Sequence, residues 1–443
     1  MRSISRMPAS SSTTRIVPMS GHDMAAGGRA TGASNSAATA TVRPAMQPPA
    51  ILTLQLLNAC IGAGQYLGFA TATGMWTADG WTPWQVGLAM TAANLAYAAL
   101  VAQGGRLSDA WGRARTAILG ACICACGAAL ALVVDAAWSA LAAAILGCAG
   151  SAFFFPGNVG LFSDARSADG AGSLPLHVKV SRYNLGWSGG NIVGFGLAWA
   201  LSSLPPRIGW SLVLLAAVVA GTTLWRWRRL PAQPPRPDGD RSPHPALNRL
   251  IWMGRGALLV YCLLGMAFIS LLTRALKGEG MDATAAQVAS TAALFAYAIG
   301  YFATFLVLGL WSGWVLRPWR LLLLQAPVAL AALAVLWLGL GPAVQPLALS
   351  AAALLLGVGF AATYTGSIYY SMRLPEGAAH AAALHETALG IGSTAGPLLC
   401  GAFMSLAADG ALAALGIWMV LISAVVLALQ ALAIPGAARR GAC

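Results

Sequence analysis

The chain has 443 residues, of which 58% are hydrophobic and only 9% charged, with a mean hydropathy of +0.71. Soluble domains carry about 25% charged residues, so this composition excludes a water-soluble globular protein and places the chain in a bilayer. The formal net charge of +13 would also suit a nucleic-acid binder, and only the placement of that charge along the chain can exclude one.

Residues 1–49 are rich in Ser, Thr, Ala and Gly, with Arg2, Arg6, Arg15, Arg29 and Arg43 against a single acid, Asp23. They contain no apolar core of the kind a secretory signal needs, and are expected to form a disordered cytoplasmic tail. An organelle transit peptide and a true start at Met46 are the other readings of that composition. Crossing a hydrocarbon core takes about 20 apolar helical residues, and twelve such runs follow. Ile51–Met75, Trp84–Gly104, Thr116–Val134, Ala137–Leu161, Tyr183–Leu204 and Trp210–Trp227 make a first bundle over 50–227. Residues 228–250 hold six prolines and read as an extended linker. Ile251–Thr273, Ala286–Leu310, Arg320–Leu340, Leu347–Ser371, His380–Ala407 and Ala411–Ile434 make a second bundle over 251–434, before a short tail, 435–443. The runs are rich in Ala and Leu and do not alternate, so the expected fold is all-α and membrane-embedded.

Alternating the connections across the membrane puts 23 of the 26 Lys and Arg residues on the side of the termini, leaving Arg207, Arg274 and Lys277 opposite. Cations are retained on the cytoplasmic face, so both termini are expected in the cytoplasm, in the cell (inner) membrane. The basic charge is a topology signal and argues against a nucleic-acid partner. Cys122, Cys124 and Cys126 have metal-like spacing, but on a helix Cys124 points away from the other two, so no metal site is expected. No cofactor is implied, no phosphate-cradling loop is present, and Cys443 lacks a prenylation box.

The connection between the second and third runs, GRLSDAWGRAR, joins two glycines, an aspartate and three arginines. Gly105, Leu107, Asp109, Gly112, Arg113 and Arg115 stand at the spacing of the loop between helices 2 and 3 in the major facilitator superfamily, which the chain resembles from Ile51 to Ile434. Ala110 departs from the pattern, which has a basic residue there. The halves also resemble each other. At an offset of 204, Tyr97, Gly105, Ser108 and Arg113 match Tyr301, Gly309, Ser312 and Arg317; at 202, Asn184, Gly190 and Gly194 match Glu386, Gly392 and Gly396. The resemblance implies twelve helices in two pseudo-symmetric six-helix bundles, rocking about a central site by alternating access. It further implies that the loop is a conformational latch bridging to the opposite half. The small stripes Gly186-Gly190-Gly194 and Gly392-Gly396 would lie on helices that pack between the halves. The family's antiporter signature has Gly-Pro in helix 5, where this chain has Gly194-Phe195.

In that family helices 1, 4, 7 and 10 line the cavity. On the corresponding runs Gln55, Asn58, Gly62 and Gln65 form one polar stripe, Tyr261, Gly265 and Phe268 another, and Thr363, Ser367 and Tyr370 a third. Asn158 follows a helix-breaking Pro156-Gly157. Amides, phenols and aromatic walls suit a neutral, partly apolar solute, and no arginine or lysine sits mid-span to receive an organic anion. Of 13 acids only Glu386 lies within a run. It reads either as a proton-coupling group or as a rim residue pairing with Arg182 or the latch arginines, near Asn184. His385 is turned about 100° from it. The expectation is a monomeric secondary transporter of a small solute, with proton-coupled efflux as one form. A transporter-like sensor or scaffold is the alternative, since the second copy of the loop has Gly313 in place of the aspartate. No nucleophile–base pair or ligand cluster suggests an enzyme. If the alternation is right, single cysteines beside Lys277 will react with an impermeant maleimide in intact cells, and cysteines beside Arg317 only after permeabilisation.

Overall fold

A computed structural model of the chain describes residues 49–168, 175–230, 247–315, 317–373, 378–407 and 410–433. The tails and the middle of the linker expected from the sequence lie outside these residues. The first half contains α1 (Ile51–Ala78), α2 (Pro83–Trp111), α3 (Arg113–Val133), α4 (Ala137–Ala168), α5 (Leu176–Ala200) and α6 (Pro206–Leu224), the last followed by a 3-10 turn, Trp225–Trp227. The second contains α7 (Leu247–Gly278), α8 (Ala283–Leu310), α9 (Pro318–Leu340), α10 (Pro346–Ser371), α11 (Ala378–Leu406) and α12 (Ala411–Ala433). Among the described residues there is no strand.

Ten of the twelve helices are long and apolar enough to cross a membrane. The two that are not, α1 and α5, have 28 and 25 residues, so length is not their limit. They carry Gln55, Asn58, Gln65, Asn184 and Asn191 among small residues, and they pack along each other. A helix covered by protein needs no apolar surface all round.

The packing partners repeat with a shift of six helices. α1 packs on α4, α5 and α6 as α7 packs on α10, α11 and α12; α4 packs on α2 and α3 as α10 packs on α8 and α9; and α3 packs on α6 as α9 packs on α12. The turns repeat too. Gly80 (φ 80°) and Gly280 (φ 87°) end the α1 and α7 turns, and the caps Thr82 and Asp282 then open α2 and α8, accepting from the amides of Gln85 and Ala285. The two bundles touch along α2–α11 and α5–α8.

Several sequence expectations need correction. The stretch from Gly105 to Trp111 is not a loop but the last two turns of α2, and Gly112 alone separates α2 from α3. Its φ of 110° is closed to most L side chains, which is why one residue can turn the chain. Pro156 does not break α4, which runs through it. A proline frees the carbonyl four residues earlier, here Ala152, and Gly104 of α2 lies so close over that oxygen that a methyl group there would overlap it. The bundle thus shields the gap. The glycine stripes face inward and do not face between the halves. Methyl groups on Gly190 and Gly194 would strike the carbonyls of Ala59 and Ala63 on α1, and those on Gly392 and Gly396 would strike Leu259 and Leu263 on α7. Each stripe fastens a helix within its own bundle, at pseudo-equivalent places.

Overpacking a tight interior costs about 1–3 kcal/mol. Gly190→Val and Gly392→Val are therefore expected to lower the unfolding temperature in detergent by several degrees, whereas Gly147→Ala, where a methyl group meets open space, leaves it unchanged.

Candidate functional site

The seam between the bundles has a distinct face, a centre and a second face. At the end of α1, away from the termini, cations on α7 reach across it. Lys277 Nζ donates to Thr77 O at 2.6 Å and Arg274 Nε to Trp81 O at 2.8 Å, so both meet the negative end of the α1 dipole. Gln287 Nε2 donates to Ala70 O at 2.9 Å, Thr91 Oγ1 to Thr394 O at 2.8 Å, and the Trp84 amide to Ser405 Oγ at 3.1 Å. Gly87 lies against the Pro397 carbonyl and Gly401 against that of Pro83. This face is closed. The third cation expected there, Arg207, pairs with Asp135 at 3.6 Å on the same face.

At the centre, rings from both bundles form one cluster. Trp187 of α5 is stacked against Tyr301 of α8, at 5.7 Å and 20°, and against Tyr364 of α10, at 5.9 Å and 15°. Tyr66 of α1 meets Trp187 at 6.3 Å, and Phe360 and Phe305 complete the wall. Tyr301 and Phe305 are fully buried, while Trp187, Tyr66 and Phe360 keep part of their surface uncovered. These partly open rings offer a wide apolar surface at the seam.

Toward the face of the termini, Tyr97 Oη of α2 donates to Glu386 Oε2 of α11 at 3.2 Å, a bond across the seam. Ser181 Oγ of α5 donates to Phe305 O of α8 at 2.8 Å. His385 turns away from its neighbour, as the helical angle requires: its Nδ1 lies 3.0 Å from Ser367 Oγ, and its ring stands edge-on to Tyr364. The alternative of Glu386 as a rim residue paired with Arg182 does not describe this geometry. Arg182 is exposed, and its carbonyl accepts from Gln55 Nε2 at 2.8 Å.

The expected cavity residues divide. Asn58 and Asn158 are both buried near the start of α1, where Asn158 Nδ2 donates to Leu54 O at 3.3 Å. Asn58 Oδ1, both side-chain polar atoms of Asn184, and Tyr261 Oη are buried without partners among the described residues. Buried polar atoms in a membrane protein demand partners, and these four have none among the described residues. Ser367 holds His385, and Thr363 turns back onto Gly359 O. Gln65 faces away from the seam. With Ser151 and Cys60 it lines a cavity of about 30 Å³ between α1, α3, α4 and α6, because Gly62, one turn earlier, packs against Asn191 and the Trp187 carbonyl of α5. The polar stripe of α1 is thus largely a contact with α5. Tyr370 packs on Tyr369 and Trp314 in the second bundle.

The latch residues lie together where α2 meets α3. Gly105 and Leu107 are partly covered, Asp109 is exposed, and Arg113 is buried with Nη1 on Gly160 O at 2.6 Å. Arg115 Nε donates to Arg228 O at 3.0 Å. These contacts lie within the first bundle and do not bridge to the second, so the cross-half contact expected of the latch is absent from the bonds described in this conformation. Arg255 lies two turns inside α7, nearer its start than its middle, and is buried, over the Trp252 ring at 5.9 Å.

Sequence reading also missed the aromatic cluster, whose rings are scattered over four helices. One trace was available: Trp187 lies about 60° round the helix from Gly190, beside the stripe that faces α1 and turned from it toward the seam. Truncating a large buried ring costs about 3–5 kcal/mol. Trp187→Ala is expected to lower the thermal midpoint in detergent well beyond Trp187→Phe, which keeps a ring in the stack.

A family model described as Major Facilitator Superfamily matches residues 54–397. Among curated proteins, none matches the sequence. The fold is similar to that of the nucleoside transporter NupG, at 12% identity and TM-score 0.59, covering 86% of this chain and 100% of that one. It is similar to the peptide transporter POT, at 12% identity and TM-score 0.63, covering 86% and 94%. It also resembles a bacterial homolog of the human lysosomal transporter Spinster, at 17% identity and TM-score 0.58, covering 86% and 95%. With twelve helices in two six-helix bundles and a family match over most of its length, this chain is a multi-pass membrane protein belonging to the major facilitator superfamily.

Proposed function

We propose that this protein is a secondary active transporter that moves a small, partly apolar solute by alternating access, as a monomer in the inner membrane with both termini in the cytoplasm. The observation that carries the reading is the asymmetry of the seam. α1 packs on α7 across it, whereas their counterparts α4 and α10 form no comparable pair among the described residues. Two bundles held together more closely toward one face than toward the other fit one of the two states that alternating access requires. Retention of Lys and Arg assigns the closed face to the outside. Five hydrogen bonds involving side chains cross the seam at the closed face, and at about 0.6 kcal/mol each within membranes they sum to about 3 kcal/mol. That is below the roughly 5.5 kcal/mol of differential affinity that inverts a 99:1 preference.

The aromatic cluster supports an apolar part on the solute, and the partnerless atoms of Asn58, Asn184 and Tyr261 support a polar one. Arg255 is packed on Trp252 near the start of α7, and the rings are the largest recognition surface. Proton-coupled efflux is the proposed form of transport. Glu386 joins the bundles through Tyr97, and a phenol donates a stronger hydrogen bond to a carboxylate than to a carboxylic acid. Protonation of Glu386 therefore loosens the seam, and the latch residues Asp109, Arg113 and Arg115 bias the opposite closure at the cytoplasmic face.

The test uses spin-label pairs across the outer and inner faces of the protein in liposomes, followed as pH is lowered. Wild type is expected to shift between two distance distributions, and Glu386→Gln is expected to hold one distribution at every pH. A single distribution in wild type, under every solute in a diverse screen, would establish the sensor or scaffold reading instead. An unchanged pH response in Glu386→Gln would remove the coupling role while leaving transport intact.

A further inference from the structure

The outer wall of the first bundle carries a feature that transport does not use. Between α3 and α6, on the membrane-facing side, lies a groove of about 420 Å³ lined by Ile118, Ala121, Cys122, Val218, Gly221 and Trp225. Its walls are almost wholly apolar, and Gly221 and Ala121 give it depth. It ends at Trp225, which is 55% exposed and opens the 3-10 turn after α6, at the face of the termini.

That end is strongly basic. The Arg228 guanidinium lies over the Trp225 ring at 4.4 Å and donates to the Trp225 carbonyl at 2.9 Å. Arg115, from the start of α3, is tied to the Arg228 carbonyl, so α3 and the turn after α6 bring their cations to the same place. Arg226 and Arg229 are exposed on the same turn. Among the described residues none of these four arginines has an ion pair. An apolar slot of acyl-chain size runs along two spanning helices, with uncompensated cations and an interfacial tryptophan at its mouth. That is the complement of a lipid with an anionic head.

We propose that the α3–α6 groove is a binding site for one anionic diacyl phospholipid, with an acyl chain against Ile118, Cys122 and Gly221 and the head-group phosphate held by Arg226, Arg228 and Arg229. The site is separate from the seam, so it stands whether or not the solute reading does. A phosphate diester accepts several charge-assisted hydrogen bonds from guanidinium groups, where a zwitterionic head brings its own cation. Free phosphate would lose the contribution of the groove.

Cys122 provides the readout, because it is exposed in the groove, whereas Cys126, exposed on the same helix, is not among the groove residues. The full-length protein in detergent is titrated with phosphatidylglycerol, phosphatidylcholine or inorganic phosphate, and maleimide modification of each cysteine is followed by peptide mass. Phosphatidylglycerol is expected to slow modification of Cys122 at least five-fold relative to the same mole fraction of phosphatidylcholine, with Cys126 unaffected. In an Arg226→Gln/Arg229→Gln variant, whose substitutions are on the surface, that difference should fall below two-fold. Equal protection by the two lipids, protection retained in the variant, or protection by inorganic phosphate alone would each overturn the proposal. A thermal midpoint within a degree of wild type confirms that the variant is folded. If it is not, Arg229→Lys and Arg229→Gln are compared, and equal protection in those two variants overturns the proposal equally.

Discussion

Backbone contact between helices, made possible by missing side chains, is the constraint on which the rest of this structure depends. In a bilayer two apolar helices gain little from burying each other, because lipid tails are as apolar as leucine. Close approach is one of the few sources of affinity left. Gly190 and Gly194 bring α5 onto α1, Gly392 and Gly396 bring α11 onto α7, and Gly104 and Gly300 bring α2 and α8 onto α4 and α10. These contacts make each six-helix bundle a stiff body. The faces of α5 and α11 beside those stripes carry Trp187 and Glu386 to the seam.

The seam is built differently. Its central contacts are stacked rings, and at the closed face side chains reach the carbonyls of the opposite bundle beside the close approach of Gly87 to Pro397 and of Gly401 to Pro83. The rings and side chains can part without unfolding either body, and the two glycine contacts are few beside those that fasten each bundle. The placement of charge follows the same logic. Arg274 and Lys277 both lie where the exposed carbonyls at the end of α1 meet the other half. A helix end in a membrane protein must have its carbonyls satisfied. Satisfying them from the other bundle makes the same bonds a lock.

The pseudo-symmetry is carried by packing more faithfully than by chemistry. Gly190 and Gly392 do the same work in their two bundles, and so do the caps Thr82 and Asp282. Tyr97 and Tyr301 are equivalent positions, yet one bonds Glu386 and the other stacks on Trp187, because α11 presents a carboxylate where α5 presents Asn184. Duplicated backbone geometry preserves the fold, while the seam residues are free to differ.

The sequence by itself determined the membrane class, the number of helices and the duplication. Each follows from composition and period, which survive without knowledge of neighbours. It also marked Glu386 correctly as unusual, since a lone acid in an apolar run is conspicuous. It could not say which way a stripe faces. Gly186, Gly190 and Gly194 would read the same against α8 as against α1, and Gln65 the same in a private cavity as in a shared one. It could not assemble the aromatic wall, because Tyr66, Trp187, Tyr301 and Tyr364 are far apart in the chain and ordinary in their own helices. It also read Gly105–Trp111 as a loop, since glycine and charge signal a turn, where the packing of α2 on α4 carries the helix through to Gly112. Rotation of a helix about its axis is set by all of its neighbours at once, and only the tertiary structure contains that information.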